Sequence, residues 1–210
     1  MIKRSRTPPA DPLTYFIHGQ RFYACDCALM HEGFDQEVKD FTVYGAAVMS
    51  ALASELFLKC LGVIESGPVS RTHNLNTLFK NLSPKTRTLI ERRWDEILAG
   101  KKHLIDELEQ ETGTPIPRRL TDALHVGANS FESLRYPELS PQANFFLTDL
   151  PHALLSPQAN FFLTDLPHAL LLAILELKPE WQRELAFHVL MPASDSKWTG
   201  AIIRVPDNSA

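Results

Sequence analysis

Residues Phe41–Ser66, FTVYGAAVMSALASELFLKCLGVIES, are the stretch whose reading decides the fold. Between Phe41 and Ile64 the clearly polar positions are Thr42, Ser50, Ser54, Glu55 and Lys59, so the segment is apolar on nearly every side. A helix of that kind belongs inside a helical core. At about 1.5 Å per residue it reaches across a small domain, while its polar interruptions argue against a membrane span. Glu55 and Lys59 stand four apart, in the order that favours a helical ion pair.

On the N-terminal side, Asp11-Pro12 is a helix start, with Asp as the cap and Pro at the first helical position. Leu13, Phe16, Ile17, Gln20, Ala24, Cys27, Ala28 and His31 follow at helical spacing, which predicts an amphipathic helix ending near Gly33. A polar link, Asp35 to Asp40, then leads into the apolar stretch. Two long helices joined by a short link fold most simply as an antiparallel hairpin.

On the C-terminal side, Gly67-Pro68 stops the helix, and a short third one begins after Thr72-His73-Asn74, with Leu75, Leu78, Phe79 and Leu82 inward. Ser83-Pro84 opens the next helix, whose stripe is Leu89, Ile90, Trp94, Ile97 and Leu98, with Gly100 placed to end it. Lys101 to Thr112 is charged and weakly amphipathic, and Gly113 to Pro117 is a loop. From Arg118 the helical pattern returns through Leu120, Ala123, Leu124, Gly127, Phe131 and Leu134, and Pro137 ends or kinks it. The β-like run is Ala201 to Val205, a strand that would need a partner edge.

A tandem repeat dominates the second half: SPQANFFLTDLPHALL at Ser140–Leu155 recurs letter for letter at Ser156–Leu171. Two copies do not make a solenoid, for which about three or more are needed. Perfect identity points to a recent duplication or to an artefact of gene assembly. Each copy opens on Ser-Pro, a helix start, and carries a proline (Pro151, Pro167) expected to interrupt that helix. His152 and His168 are copies of one another and carry little separate evidence of chemistry. If one copy is surplus to the bundle, its Phe-Phe-Leu turns to solvent or to another chain.

With 210 residues, 44% hydrophobic and 22% charged, the chain is sized for one good core with tails. Its formal net charge of −4 gives no global attraction to nucleic acid, so such binding needs a local basic patch. The basic Met1 to Arg6 segment leads into Thr7-Pro8-Pro9 without an apolar run, so no secretory signal is read there and a cytoplasmic location is the expectation. Three cysteines, Cys25, Cys27 and Cys60, are then expected as thiols. Cys25 and Cys27, flanked by His18 and His31, invite a metal. Residues two apart on a helix point roughly 200° apart, however, so no metal and no cofactor is expected.

Three places carry a resemblance. They are Ser54-Glu55-Leu56-Phe57-Leu58-Lys59-Cys60-Leu61, then Thr72-His73-Asn74-Leu75 before a short Leu/Phe-rich helix, and Phe131-Glu132-Ser133-Leu134-Arg135-Tyr136-Pro137-Glu138. In this order they resemble the E-x-x-x-K-x-L, H-x-L and F-x-x-x-R-Y-x-x-E steps of the HEPN superfamily, helical domains named for higher eukaryotes and prokaryotes nucleotide-binding. The third is one residue tighter than the family pattern. The match runs roughly from Pro12 to Glu138. The resemblance implies an all-α, up-and-down helical bundle, usually a homodimer, associated with RNA or nucleotide.

Many members of that superfamily resemble metal-independent ribonucleases with an Arg, four to six residues, and a His facing a cleft between protomers. Arg119 and His125 satisfy that spacing. The arginine would hold a phosphate and the histidine would move protons at the 2′-hydroxyl or the leaving oxygen. Six positions on a regular helix set the two side chains about 120° apart, so a shared site requires a helix end or the partner protomer. The polar residue that usually follows the arginine is replaced by Leu120. The solvated alternative has Arg118, Arg119 and Asp122 as helix-start residues and His125 at the bundle surface. His73 is expected to cap or brace the third helix, and Arg135-Tyr136 either brace the bundle through Glu55 or, with His73, line a nucleotide pocket.

The expected organisation is a flexible segment over residues 1–10, a HEPN-like bundle over 11–139, the duplicated segment and a C-terminal helix over 140–191 as an extension, and an irregular tail over 192–210. Three functions fit it: an RNA- or nucleotide-associated or protein-interaction module without an intact catalytic motif, an RNA endonuclease using Arg119 and His125, and a structural dimerisation protein.

Overall fold

A computed structural model of the chain describes residues 11–29, 36–66, 68–113, 115–128, 157–185, 188–190 and 202–204. The fold is all-α and is arranged around the apolar stretch. Helix α1 spans Pro12–Leu29 and helix α2 spans Gln36–Ser66. The polar link read at Asp35 to Asp40 is thus mostly helix, because α2 starts at Gln36. Gln, Glu and Lys are good helix formers, and polar character alone does not break a helix.

Along α2 the side chains of Ala46, Ser50, Ala51, Ala53, Ser54, Phe57, Cys60 and Leu61 are almost fully buried. By length and composition Gly45–Glu65 is also the one described helix apolar enough to cross a membrane, and 61% of it is buried inside the protein. Helix α1 makes the most extensive helix contact in the molecule with α2. Gly19 permits it, since a Cβ there would lie 2.6 Å from Phe57 Cε1.

The inward face of α1 is Phe16, Gly19, Gln20, Tyr23 and Asp26. It is rotated from the stripe that apolar spacing predicts, and Ala28 is exposed. Asp11 starts α1 as expected, its carboxylate accepting from the Leu13 N–H at 3.1 Å and the Thr14 hydroxyl at 3.0 Å.

Three helices follow: α3 Leu75–Lys80, α4 Pro84–Gly100 and α5 Lys102–Thr112. Leu75, Leu78, Phe79 and Leu82 are buried, as their spacing requires, and Ile90, Trp94 and Leu98 face the core from α4. Ser83 caps α4, its hydroxyl accepting from the Thr86 N–H at 3.3 Å. Glu65, at the end of α2, takes the Ser83 N–H at 2.9 Å and its hydroxyl at 2.6 Å. A carboxylate at a helix N-terminus is favoured by the orphan N–H groups there. Helix α5, over the weakly patterned charged segment, is anchored by buried Ile105 and ends at Gly113 with φ 65°.

Helix α6 spans Leu120–Val126 and ends at Gly127. The continuation of this pattern through Phe131 and Leu134 to Pro137 lies outside the described residues. Helix α7, Pro157–Leu177, comes from the second repeat copy and the residues after it. Pro167, read as a break, lies within this continuous helix. Proline removes one ladder bond. The residues around it, Leu166, Ala169, Leu170 and Leu171, are fully buried, and that packing holds the helix together.

Helix α7 packs on α2 and α4 and belongs to the same apolar cluster as α1 to α6. The first repeat copy lies outside the described residues. A 3-10 helix, Pro179–Glu184, brings Trp181 to 5.1 Å from Phe16 and returns the chain to α1. Two three-residue strands, β1 His188–Leu190 and β2 Ile202–Arg204, pair antiparallel with Val189 opposite Ile203.

Candidate functional site

The first two motifs meet at the corner between α2 and α3. Glu55 is 3% exposed on α2, and its carboxylate accepts from Lys59 Nζ at 2.7 Å, one turn further along. His73 Nδ1 lies 3.0 and 3.1 Å from the two oxygens of the same carboxylate. A buried carboxylate without such partners would cost several kcal/mol, roughly. The arrangement therefore explains why Glu, Lys and His occur at these positions. His73 is half exposed, so the brace is open to solvent on one side.

Capping of α3 falls to the neighbouring Asn74, whose side chain accepts from the Thr77 N–H at 2.8 Å. Beside Lys59, a shallow depression of about 260 Å³ is lined by Leu58, Gly62, Val69, Leu78 and Asn81.

The Arg119 and His125 pair lies on α6. Arg119 is the residue before the first helical turn, with extended backbone (φ −87°, ψ 135°), so it stands at a helix end. Both side chains are exposed, and neither forms a hydrogen bond or ion pair among the described residues. Leu120, Ala123 and Leu124 face the core from the opposite side of the helix. Arg118 is engaged instead, donating to Asp106 and Glu109 at 2.7 Å each, while its carbonyl accepts from Trp94 Nε1 at 2.9 Å. The end of α6 is tied to the start of α3, where the Leu75 N–H donates to the Ala128 carbonyl at 2.9 Å. This tie sets the start of α3 against the C-terminal end of α6. Arg135 and Tyr136 lie outside the described residues.

A second polar group is buried on the other side of α2. Asp26 from α1, Lys101 between α4 and α5, and Asp165 and His168 from α7 are each at most 6% exposed. Lys101 Nζ donates to Asp165 Oδ1. The Tyr23 and His168 rings lie 6.2 Å apart. Among the described residues, Asp26 Oδ1, Asp165 Oδ2, Ser50 Oγ, Ser54 Oγ and both ring nitrogens of His168 make no hydrogen bond.

Burial pushes the Asp26 carboxyl up to about 8, with the nearby Ser50 hydroxyl and Lys101 pulling the other way and Asp165 adding to the rise. Asp165 is also raised by burial, against the pull of Lys101. Burial, helped by the Lys101 charge, takes His168 down to about 4. Cys27 is pushed up to about 12, chiefly by burial. Sequence reading missed this group. The signal was there in α1, where Asp26 continues the Phe16, Gly19, Tyr23 spacing inward.

Cys25 is exposed, Cys27 half-buried and Cys60 buried. Among the described residues no three His, Cys, Asp or Glu side chains are grouped so as to hold a metal ion. No protein-family model, curated protein or solved structure matches the chain.

Proposed function

We propose that the chain is a HEPN-like helical module, cytoplasmic and homodimeric, that associates with RNA or nucleotide without an intact catalytic motif of its own. The observation that carries this reading is the Glu55, Lys59 and His73 brace. Two motifs 18 residues apart in sequence converge on one buried carboxylate, and the half-exposed His73 stands at its open edge. The Arg119 and His125 side chains are exposed and unengaged, able to meet phosphate, but nothing among the described residues orients the His125 ring. General acid-base work requires such orientation.

The test is fluorescence anisotropy with labelled single-stranded RNA at two salt concentrations, with light scattering for the dimer. Salt-sensitive binding, weakened by Arg119→Ala and without cleavage, supports the proposal. Absence of binding to RNA and to nucleotides overturns it and leaves a dimerisation protein.

A second reading, a metal-independent RNA endonuclease, is favoured by one feature: Arg119 sits at a helix end, where the angular separation of a regular helix no longer holds. In that reading the partner protomer completes the site. Cleavage of the labelled RNA, lost in both Arg119→Ala and His125→Ala, would establish it.

A further inference from the structure

The buried group around Lys101 contains more potential negative charge than positive. Facing one another are Tyr23, Asp26 and Cys27 from α1, Ser50 from α2, Lys101 from the α4–α5 junction, and Asp165 and His168 from α7. With both carboxylates ionised and His168 neutral, the interior would carry one uncompensated negative charge. A water-excluded site does not hold such a charge without large cost, so a proton stays on one carboxyl.

Geometry decides which one. Lys101 donates directly to Asp165, whereas on Asp26 it acts only as a nearby charge. The proton therefore sits on Asp26. His168 has no acceptor for a second ring proton, so it stays neutral. The closed interior is one ion pair plus two neutral groups.

The main packing of α7 is on α2 and α4, and its contact with α1 at this point is small. Asp165 and His168 flank Pro167, which supplies no N–H to the helix ladder, and α7 meets α1 over a much shorter contact than α2 does. We propose that Asp26, Lys101, Asp165 and His168 form a proton-dependent latch that keeps α7 closed on α1 while Asp26 holds its proton and His168 lacks one. Above neutral pH, Asp26 gives its proton to water as the helices part, and two carboxylates then compete for one ammonium. In acid, His168 takes a proton and adds a second cation beside Lys101. Either event disfavours the closed form. Between 4 and 6.5 the two effects oppose one another and nearly cancel, so the latch is tight below about 6.5 and loosens as pH rises from there to about 8.

The test is amide hydrogen exchange of the full chain between pH 5 and pH 9, read by mass spectrometry and corrected for intrinsic exchange rates. Peptides from residues 157–177 that extend past Leu171, where the repeat ends, report on the latch, and peptides from residues 75–100 serve as the internal reference. Between 6.5 and 8, where the opened form has lost the Asp26 proton and the closed form keeps it, each pH unit multiplies the open-to-closed ratio about tenfold, and above about 8 the ratio levels off. Protection of 157–177 should thus fall about tenfold between pH 6.5 and pH 7.5 relative to the reference and level off above pH 8, and Asp26→Asn should abolish the fall. Equal pH dependence in wild type and Asp26→Asn, or equal loss in both sets of peptides, overturns the proposal. Carbon-detected NMR titration of the wild-type Asp26 carboxyl covers the case in which the variant does not fold. A midpoint above 7 agrees with the latch, and one below 5 refutes it.

Discussion

Replacing Lys101 with Met removes the cation from a pair whose side chains are 8% and 1% exposed. The Asp165 carboxylate is then left buried without its donor, while Met fills most of the lysine stem's volume. Breaking a buried pair from one side costs about 3–5 kcal/mol, because the remaining charge must stay desolvated or take up a proton. Against a total stability of about 5–15 kcal/mol, this is a large fraction. With a urea dependence of about 2 kcal/mol per molar, the unfolding midpoint at pH 7 should fall by roughly 1.5–2.5 M.

Asp165→Asn should cost less, even though it breaks the same pair. Asp26 already feels the Lys101 charge and can ionise in place of Asp165, so the ammonium keeps a counter-charge. Urea unfolding of the two single variants and of the double variant, followed by far-UV circular dichroism, closes a mutant cycle. The double variant should recover most of the loss seen in Lys101→Met. A midpoint shift below about 0.3 M in Lys101→Met, or a double variant as unstable as the sum of the singles, would show that the pair is not sealed from water.

The same buried group sets a pH profile for wild-type stability. Asp26 holds a proton in the folded state up to about 8 that the unfolded chain loses near 3.8, so its contribution is lost as pH rises through that interval. His168, at about 4 folded against 6.5 unfolded, works oppositely and costs stability as pH falls from 6.5 to 4. The two nearly cancel between 4 and 6.5. From 6.5 to 8 Asp26 alone should remove about 2 kcal/mol, a decline that Asp26→Asn should flatten in chemical denaturation at matched pH. Gly19→Ala places a Cβ 2.6 Å from the buried Phe57 ring, so overpacking of about 1–3 kcal/mol should outweigh a helix-propensity gain of about 1 kcal/mol. A melting temperature lower by a few degrees is expected, and an unchanged or raised one would mean that α1 and α2 do not approach so closely. Glu55→Ala strands Lys59 at 10% exposure and should cost about 1–3 kcal/mol, whereas His73→Ala should cost under about 1 kcal/mol because His73 is half in water. Thermal scans of the two variants would contradict the brace if the order were reversed.

Much of the fold was legible in the sequence because it rests on local rules. Asp11-Pro12 and Ser83-Pro84 start helices where capping chemistry says they should, and Leu75, Leu78, Phe79 and Leu82 turn inward at helical spacing, whereas the cap of α3 is Asn74 and the expected His73 braces Glu55 instead. The Glu55 to Lys59 bond follows from a four-residue step. Tertiary packing overrode local expectation at Pro167, which stays within a helix buried on both sides of it, while at residues 36–40 the helix propensity of Gln, Glu and Lys carries α2 through a stretch read as a link.

The buried ionisable group was not legible because its members come from residues 26, 101, 165 and 168. Each looks like a solvated charge until α1, the α4–α5 junction and α7 are brought together. His125 and Arg119 could be paired by spacing, but spacing says nothing of what orients an exposed imidazole.

Cysteine labelling tests the organising role of α2 most directly, because the three thiols sample three environments. Cys60 lies in the last third of α2 with no exposed surface, its thiol 3.3 Å from the Pro12 carbonyl and raised to about 12 by burial, whereas Cys25 is exposed and Cys27 half-buried. Pulsed alkylation of the folded chain at pH 8, read residue by residue by mass spectrometry, should modify Cys25 within the pulse and leave Cys60 untouched until denaturant is added. Labelling of Cys60 as fast as Cys25 in the folded chain would place α2 at the surface and contradict the account.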